Sequence, residues 1–156
     1  MQIITEPKDI FALPEGPNEA ICVTTNGIIK RNGHAVMGRG IALTANQRFN
    51  LSLQLAGYLT KFGNRAFHMG VKKDALTGRQ MRVITFPTKH DWKDKSDIEL
   101  IKTSAHQVAA ICNKFNIKTC YLTKPGCSNG GLNWERQVRP VLEEILDDRF
   151  IVVDEN

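Results

Sequence analysis

A chain of 156 residues with 42% hydrophobic and 24% charged residues is long enough to bury a sizeable core and has the balance of a soluble globular domain. No apolar run is long enough to cross a bilayer, and Met1–Glu6 lacks the pattern of a secretory leader, so no membrane association is expected and one cytoplasmic domain over 1–156 is. The formal charge of +5 favours an anionic partner, nucleic acid or a phosphorylated small molecule, but no dense basic block stands out as a DNA-binding arm.

The four cysteines, Cys22, Cys112, Cys120 and Cys127, are scattered and form no CxxC pair. That argues against a zinc site or a disulfide framework and for reduced core thiols, so neither metal nor cofactor is expected. Cys127 alone sits in a glycine-rich loop where a nucleophile would be useful. With no neighbouring base in the sequence, it reads as a small residue filling a tight turn.

In chain order, Met1–Thr5 predicts a short edge strand before a turn at Glu6-Pro7-Lys8. Asp9–Leu13 is short and apolar, and Pro14–Pro17 breaks the chain. Ala20–Thr25 is a near-continuous apolar and β-branched run, as in a strand buried on both faces. After a glycine-rich loop at Asn32–Gly40, Ile41–Phe49 reads as a helix. Leu51–Phe62 carries Leu51, Leu55, Tyr58, Leu59 and Phe62 at helical spacing, with Gly63 as the stop. Arg65–Val71 and Met81–Phe86 predict two antiparallel strands around a turn at Asp74–Gly78, the second ending at Pro87. Thr88–Lys95 is a polar loop. Ser96-Asp97-Ile98-Glu99 opens a helix to about Phe115, with Ile98, Ile101, Val108, Ala109 and Cys112 inward. Lys118–Thr123 is a strand, Trp134–Leu146 a helix and Phe150–Val153 a final strand.

Strands alternating with helices, with one hairpin, predict an α/β domain in three layers: a mixed, mostly parallel sheet with helices on both faces. In such sheets ligands sit outside the carboxyl ends of the strands. Two glycine-rich loops, one at Val36–Gly40 and one at Lys124–Leu132, each follow a strand and precede a helix, so both should emerge on that rim. Glycines there let backbone N–H groups converge on an anion at a helix N-terminus; equally, they can simply make an αβ corner. The pairing favours a ligand with two phosphates and attached sugars. A nucleotide P-loop is absent, and Gly38–Leu43 lacks the third glycine of a dinucleotide fingerprint.

Four ordered segments resemble the macrodomain family, the ADP-ribose-binding α/β/α module: Lys8-Asp9-Ile10, Ala20–Asn26, Val36–Ala42 and Gly126–Glu135. The resemblance implies that Asp9 and Ile10 hold the adenine end and that Asn26 lies near the distal ribose. It further implies that Val36, Met37, Gly38, Gly40 and Ile41 form one ligand loop. Gly126, Cys127, Ser128, Asn129, Gly130, Gly131 and Leu132 would form the other, around the diphosphate. Val36–Leu43, Phe86-Pro87-Thr88-Lys89 and Gly130–Glu135 are most similar to one branch, the terminal ADP-ribose glycohydrolases and an antitoxin that removes ADP-ribose from DNA. Thr88 then belongs to the site and Lys89 is catalytic.

The protein glycohydrolases of that branch carry a catalytic aspartate where this chain has Gly130, whereas the antitoxin-like members have glycine. The family's usual glycine before the early acid is replaced by Lys8. From chemistry alone Lys89 is either a solvated loop lysine beside Lys93 and Lys95, or a nucleophile, a proton carrier or an electrostatic partner for the leaving group. His34 and His90 are weaker proton-transfer candidates; Trp92 either stacks on a base or packs under its loop, and Trp134 anchors the last helix. The expected partner is ADP-ribose or an ADP-ribosylated macromolecule, DNA or protein, taken up by a monomer that hydrolyses the linkage. The alternatives are an ADP-ribose-1''-phosphate phosphatase and a non-catalytic ADP-ribose-binding module.

Overall fold

The apolar run at Ala20–Thr25 forms a central strand, β2, and the rest of the sheet is built outward from it. The computed structural model describes residues 1–155. Its strands are β1 (Gln2–Lys8), β2, β3 (His68–Lys73), β4 (Gln80–Pro87), β5 (Cys120–Leu122) and β6 (Phe150–Glu155), in one six-stranded sheet of order β1-β6-β5-β2-β4-β3. Every pairing is parallel except the β3–β4 hairpin at the edge. The helices are α1 (Ile41–Phe49), α2 (Ser52–Phe62), α3 (Ile98–Lys114) and α4 (Arg139–Ile145).

Alternation along the strands assigns the two faces. Ile21, Val23, Met81, Val83 and Val153 pack with Ile41, Ala45, Phe49, Leu55 and Leu59 of α1 and α2. Their neighbours Ala20, Cys22, Ile84, Phe86, Phe150 and Val152 pack with Ile101, Val108, Cys112 and Leu142 of α3 and α4. The three-layer α/β expectation therefore holds, and β2 is buried on both sides because both helical layers cover it.

Local boundaries differ where side chains or proline intervene. β1 runs on through Pro7, with a register shift between Ile4 and Pro7; as an edge strand it tolerates the missing donor. β3 begins at His68 rather than Arg65. Ala66 gives its N–H to Gln107 Oε1 (2.9 Å) and Phe67 gives its own to Thr85 Oγ1 (2.8 Å), in place of a strand partner. The last helix opens with a wide π turn at Trp134–Val138 before α4. There Val138 N–H reaches back to Asn133 O at 3.2 Å, and Pro140, which lacks an N–H, sits just inside α4.

Because β1, β6, β5, β2 and β4 run the same way, their carboxyl ends share one rim. Asp9, Asp154, Thr123, Asn26 and Thr88 follow or end those strands, and a cleft lies on that rim.

Candidate active-site cleft

The first wall is the loop after β2. Asn26, buried at the strand end, donates from Nδ2 to Val36 O (3.1 Å) and accepts from Ile28 N (3.0 Å). It thereby staples the start of the loop to its far end. Val36 N–H returns to Ile28 O (2.9 Å) and Ala35 N–H to Ser52 O (2.9 Å). The loop then turns into α1 through Gly40, whose φ of 64° and ψ of −133° suit a residue without Cβ. α1 has no side-chain cap and no acid in its first turn. The positive end of its dipole is thus left for an external anion.

The second wall is the loop after β5. Lys124 at its root pairs with Asp154 (2.7 Å) and lies over the Trp134 ring. Leu132 N–H closes the loop onto Gly126 O (2.9 Å), and Ser96 N–H binds Gly130 O (3.0 Å). Asn133 caps the following π turn by accepting from Arg136 N (2.8 Å). Among the described residues, the N–H groups of Ser128, Asn129, Gly130 and Gly131, like those of Gly38, Arg39 and Gly40, donate to no other group of the chain. The two walls nearly touch: a Cβ on Gly40 would lie 3.6 Å from Asn129 Nδ2. Two rows of backbone donors facing one gap form an anion cradle.

The third wall is the Thr88–Ser96 segment. Thr88 is buried, tied to Thr25 O through its N–H (3.0 Å) and to Asp97 N–H through its carbonyl (2.9 Å). Lys89 is half-buried and spans the cleft, its Nζ 3.4 Å from Asn129 O and 3.5 Å from Trp92 O. Asn64 Nδ2 holds the Lys89 carbonyl from behind at 2.9 Å. His90 pairs with Asp97 at 2.8 Å; that hydrogen bond, opposed by partial burial, holds the Asp97 carboxyl below its ordinary pKa. The half-open cleft measures about 460 Å³, and its charged lining is Arg39, Lys89, Lys93, Lys95 and Lys124 against Asp94 alone.

The sequence-derived candidates divide into three groups. Asn26, Gly38, Gly40, Ile41, Thr88, Lys89, Gly126, Ser128, Asn129, Gly130 and Gly131 converge on this cleft. Cys127 lines a neighbouring cavity of about 260 Å³ with Thr123, Lys124, Ser128, Val153 and Asp154. Burial pushes its thiol up to about 11, against the opposing pull of Lys124, and Sγ donates to Pro125 O; a thiol so placed is a poor nucleophile at neutral pH. Asp9, Ile10, Val36, Met37 and Leu132 are on neither cavity wall. Asp9 caps a short 3-10 turn, accepting from Phe11 N, with Arg48 3.9 Å away. Ile10 and Leu132 are buried, and Val36 and Met37 support their loop. His34 bonds Ser52 (2.8 Å) away from the cleft, and Trp134 packs on the core, whereas Trp92 is 52% exposed on the cleft wall.

Sequence reasoning missed Ser96 and Asn64. Ser96, read only as a helix start, is buried on the cleft wall, and its Oγ has no hydrogen-bond partner. A Cβ on Gly130 would fall 2.0 Å from that oxygen, 2.5 Å from Gly126 O and 2.8 Å from Gly126 Cα. The second loop therefore has no room for an aspartate at residue 130. Among the described residues, no cluster of three His, Cys, Asp or Glu could hold a metal ion.

No family model matches the chain. The chain is 25% identical over 138 residues to a DNA ADP-ribosyl glycohydrolase of Thermus aquaticus, covering 86% of this chain and 36% of that protein. It is 28% identical over 118 residues to the Mycobacterium tuberculosis protein of the same name, covering 75% of this chain and 32% of that protein. The chain thus spans about a third of the length of the curated relatives it matches. Among solved structures, the macrodomain of Mycobacterium tuberculosis DarG superposes with a TM-score of 0.71 at 21% identity, over 99% of both chains. Thermosipho africanus DarTG in complex with ADP-ribose gives 0.75 at 21% identity, over 97% of this chain and 41% of that one. With its sheet order, its two helical layers and its paired glycine loops on one rim, this chain has the macrodomain fold.

Proposed function

We propose that the chain is an ADP-ribosyl glycohydrolase that binds ADP-ribose in the rim cleft and hydrolyses its linkage to a macromolecule, with DNA as the first substrate to test. The observation that carries this reading is the arrangement of two facing rows of backbone donors with Lys89 reaching across between them. The rows suit a diphosphate, and Lys89 stands at the end of β4 beside Asn26, where the distal ribose would lie. The cleft volume of about 460 Å³ is within the usual range for nucleotide-sized ligands. The names of the curated relatives support DNA as the carrier, and the absence of room for an acid at residue 130 removes the group that an acid-dependent route would need.

In this reading Lys89 is the catalytic residue, acting on the distal ribose either as nucleophile toward the ring-opened aldehyde or as proton carrier. Asn26 and Thr88 fix the walls between which the sugar sits. The test is a turnover panel on ADP-ribosylated single-stranded DNA, ADP-ribosylated protein and ADP-ribose-1''-phosphate, with Lys89→Ala alongside. Release from DNA that disappears in Lys89→Ala, with ADP-ribose affinity nearly intact, is the expected result. Unchanged turnover in that variant removes Lys89 from the mechanism. Phosphate release alone makes the chain a phosphatase, and tight binding without turnover makes it a binding module. Reductive trapping with borohydride separates the two roles of Lys89, since only the nucleophile leaves a stable adduct.

A further inference from the structure

Trp92 is the only aromatic side chain on the cleft wall among the described residues, and 52% of its surface is exposed. Its loop is not loose. Gly27 N–H binds His90 O (3.1 Å), Asp97 N–H binds Thr88 O (2.9 Å), Asp94 N–H binds Asp91 O (3.0 Å) and Lys93 N–H binds Asp91 Oδ1 (3.0 Å). The His90–Asp97 pair and the Asn64 bond to Lys89 O close the frame. A half-exposed indole on a hydrogen-bonded frame is a pre-organised flat surface. Lys93 and Lys95 follow it in the chain, with Asp91 before it and Asp94 between them, and Arg39 lines the same cleft from the first loop. A flat π-face on the wall of a cleft with five cations against one acid matches the chemistry of single-stranded nucleic acid, in which bases stack while phosphates meet Lys and Arg.

We propose that Trp92 is a stacking platform for a base of single-stranded nucleic acid, with Lys93, Lys95 and Arg39 holding the adjoining phosphates. This rests on the function proposed above for its position: Trp92 O lies 3.5 Å from Lys89 Nζ, and the residue lines the same cleft, so a strand joined to the sugar at Lys89 has the indole within its reach. A peptide carrier brings neither a base to the indole nor a row of phosphates to the excess cations of the cleft. A nucleotide strand gains from both.

The test needs no turnover. Tryptophan fluorescence, to which Trp92 and Trp134 alone contribute, is titrated with an unmodified thymidine-rich single strand of about 10 nucleotides, a length within one binding site. Saturable, salt-sensitive quenching is expected. Trp92→Ala, followed by fluorescence anisotropy of a labelled strand, should weaken strand binding about 10-fold or more beyond any change for free ADP-ribose, and Trp92→Phe should recover part of it. Lys93→Ala with Lys95→Ala should reduce the slope of log affinity against log salt by about 1 to 2. Strand binding that is unaltered in Trp92→Ala overturns the proposal, as does a loss confined to an ADP-ribosylated peptide. If the wild-type protein binds the strand through Trp92 but hydrolyses no ADP-ribosyl linkage, the functional reading fails and this one stands. If it hydrolyses ADP-ribosylated DNA with Trp92→Ala indistinguishable in KM and in strand affinity, only this one fails.

Discussion

Placing a methyl group on Gly130 is the most direct test of the second loop. The backbone φ of Gly130 is not in the left-handed region, so the cost of Gly130→Ala is one of space rather than of strain. The added Cβ would meet Ser96 Oγ at 2.0 Å, Gly126 O at 2.5 Å and Gly126 Cα at 2.8 Å. The serine hydroxyl can rotate away. Gly126 O cannot move freely, because it accepts the Leu132 N–H bond that closes the loop. Restoring ordinary contact therefore requires residue 130 to move by about 1 Å or that bond to break, since non-bonded carbons and oxygens settle near 3.5 Å. Overpacking of this kind costs about 1–3 kcal/mol and the lost hydrogen bond about 1 more, giving a total of about 2–4 kcal/mol. Urea unfolding should show this as a lowered midpoint with an unchanged slope, and calorimetry should show weaker ADP-ribose binding because the donor row is displaced. Ser96→Ala alone removes an oxygen without a partner and should be close to neutral; combined with Gly130→Ala it should recover only the smaller part of the loss. A Gly130→Ala protein of wild-type stability and wild-type ADP-ribose affinity would refute the loop geometry, and with it the statement that no acid fits at residue 130.

Further outcomes follow from other contacts. Arg48 reaches the fully buried Asp74 at 2.9 Å, so Arg48→Ala should cost about 3–5 kcal/mol in chemical unfolding by stranding that carboxylate. The Asp74 pair also has a pH signature. Burial raises the Asp74 pKa, but the hydrogen bonds from Arg48 and Leu76 N–H outweigh it and hold the group below its ordinary value. Its contribution is thus present above the unfolded value of 3.8 and is lost as pH falls through the lower folded one. His68, stacked on Phe115 and 3.0 Å from Arg82 Nη1, has its pKa lowered by burial first and then by Arg82 and Lys114. Stability should therefore fall as pH drops below the unfolded value of 6.5, and His68→Gln should remove that part of the pH profile. Asn64→Ala releases the Lys89 carbonyl and should lower kcat with little change in KM, whereas a purely structural role would move stability alone.

The sheet and its helices were legible because each strand and helix carries its own period. Ala20–Thr25 reads as buried on both faces, and Asp97 with Glu99 marks the start of α3, where the Asp97 side chain does cap Glu99 N–H. What the sequence hid depends on groups distant along the chain. β3 starts late because Gln107 and Thr85 take N–H groups from Ala66 and Phe67. The two glycine loops were visible as clusters between a strand and a helix, although each by itself reads equally as an αβ corner; their pairing on one rim is what favours a ligand. Ser96 was not, since its relation to Gly130 spans 34 residues and exists only once α3 packs beneath the loop. Asn64 reads as a connector between the Gly63 stop and the next strand until the fold brings it behind Lys89.

The distribution of reactive groups around the rim bears on where the chemistry of the proposed reaction falls. The second loop offers backbone donors and, at its root, Lys124, which is paired with Asp154; residue 130 is crowded by the Gly126 backbone and by Ser96, and Cys127 faces a side cavity with its thiol held protonated by burial. The first loop offers Arg39 and the uncapped α1 N-terminus, both suited to holding charge. His34 is spent on Ser52, and His90 on Asp97. Of the cleft's remaining titratable groups, Lys93, Asp94 and Lys95 share the Thr88–Ser96 wall with Lys89, and it is Lys89 whose Nζ sits between that wall and Asn129 O, which is why the proposed reaction gives it the proton transfer or nucleophilic attack. A cleft whose loops bind, and whose proposed catalytic amine arrives from a third segment, separates affinity from turnover. Substitutions in the loops should then weaken ADP-ribose binding and turnover together, while substitutions in Lys89 should leave binding and abolish turnover. A loop substitution that abolishes turnover at saturating substrate without weakening ADP-ribose would break that separation and return part of the chemistry to the loop.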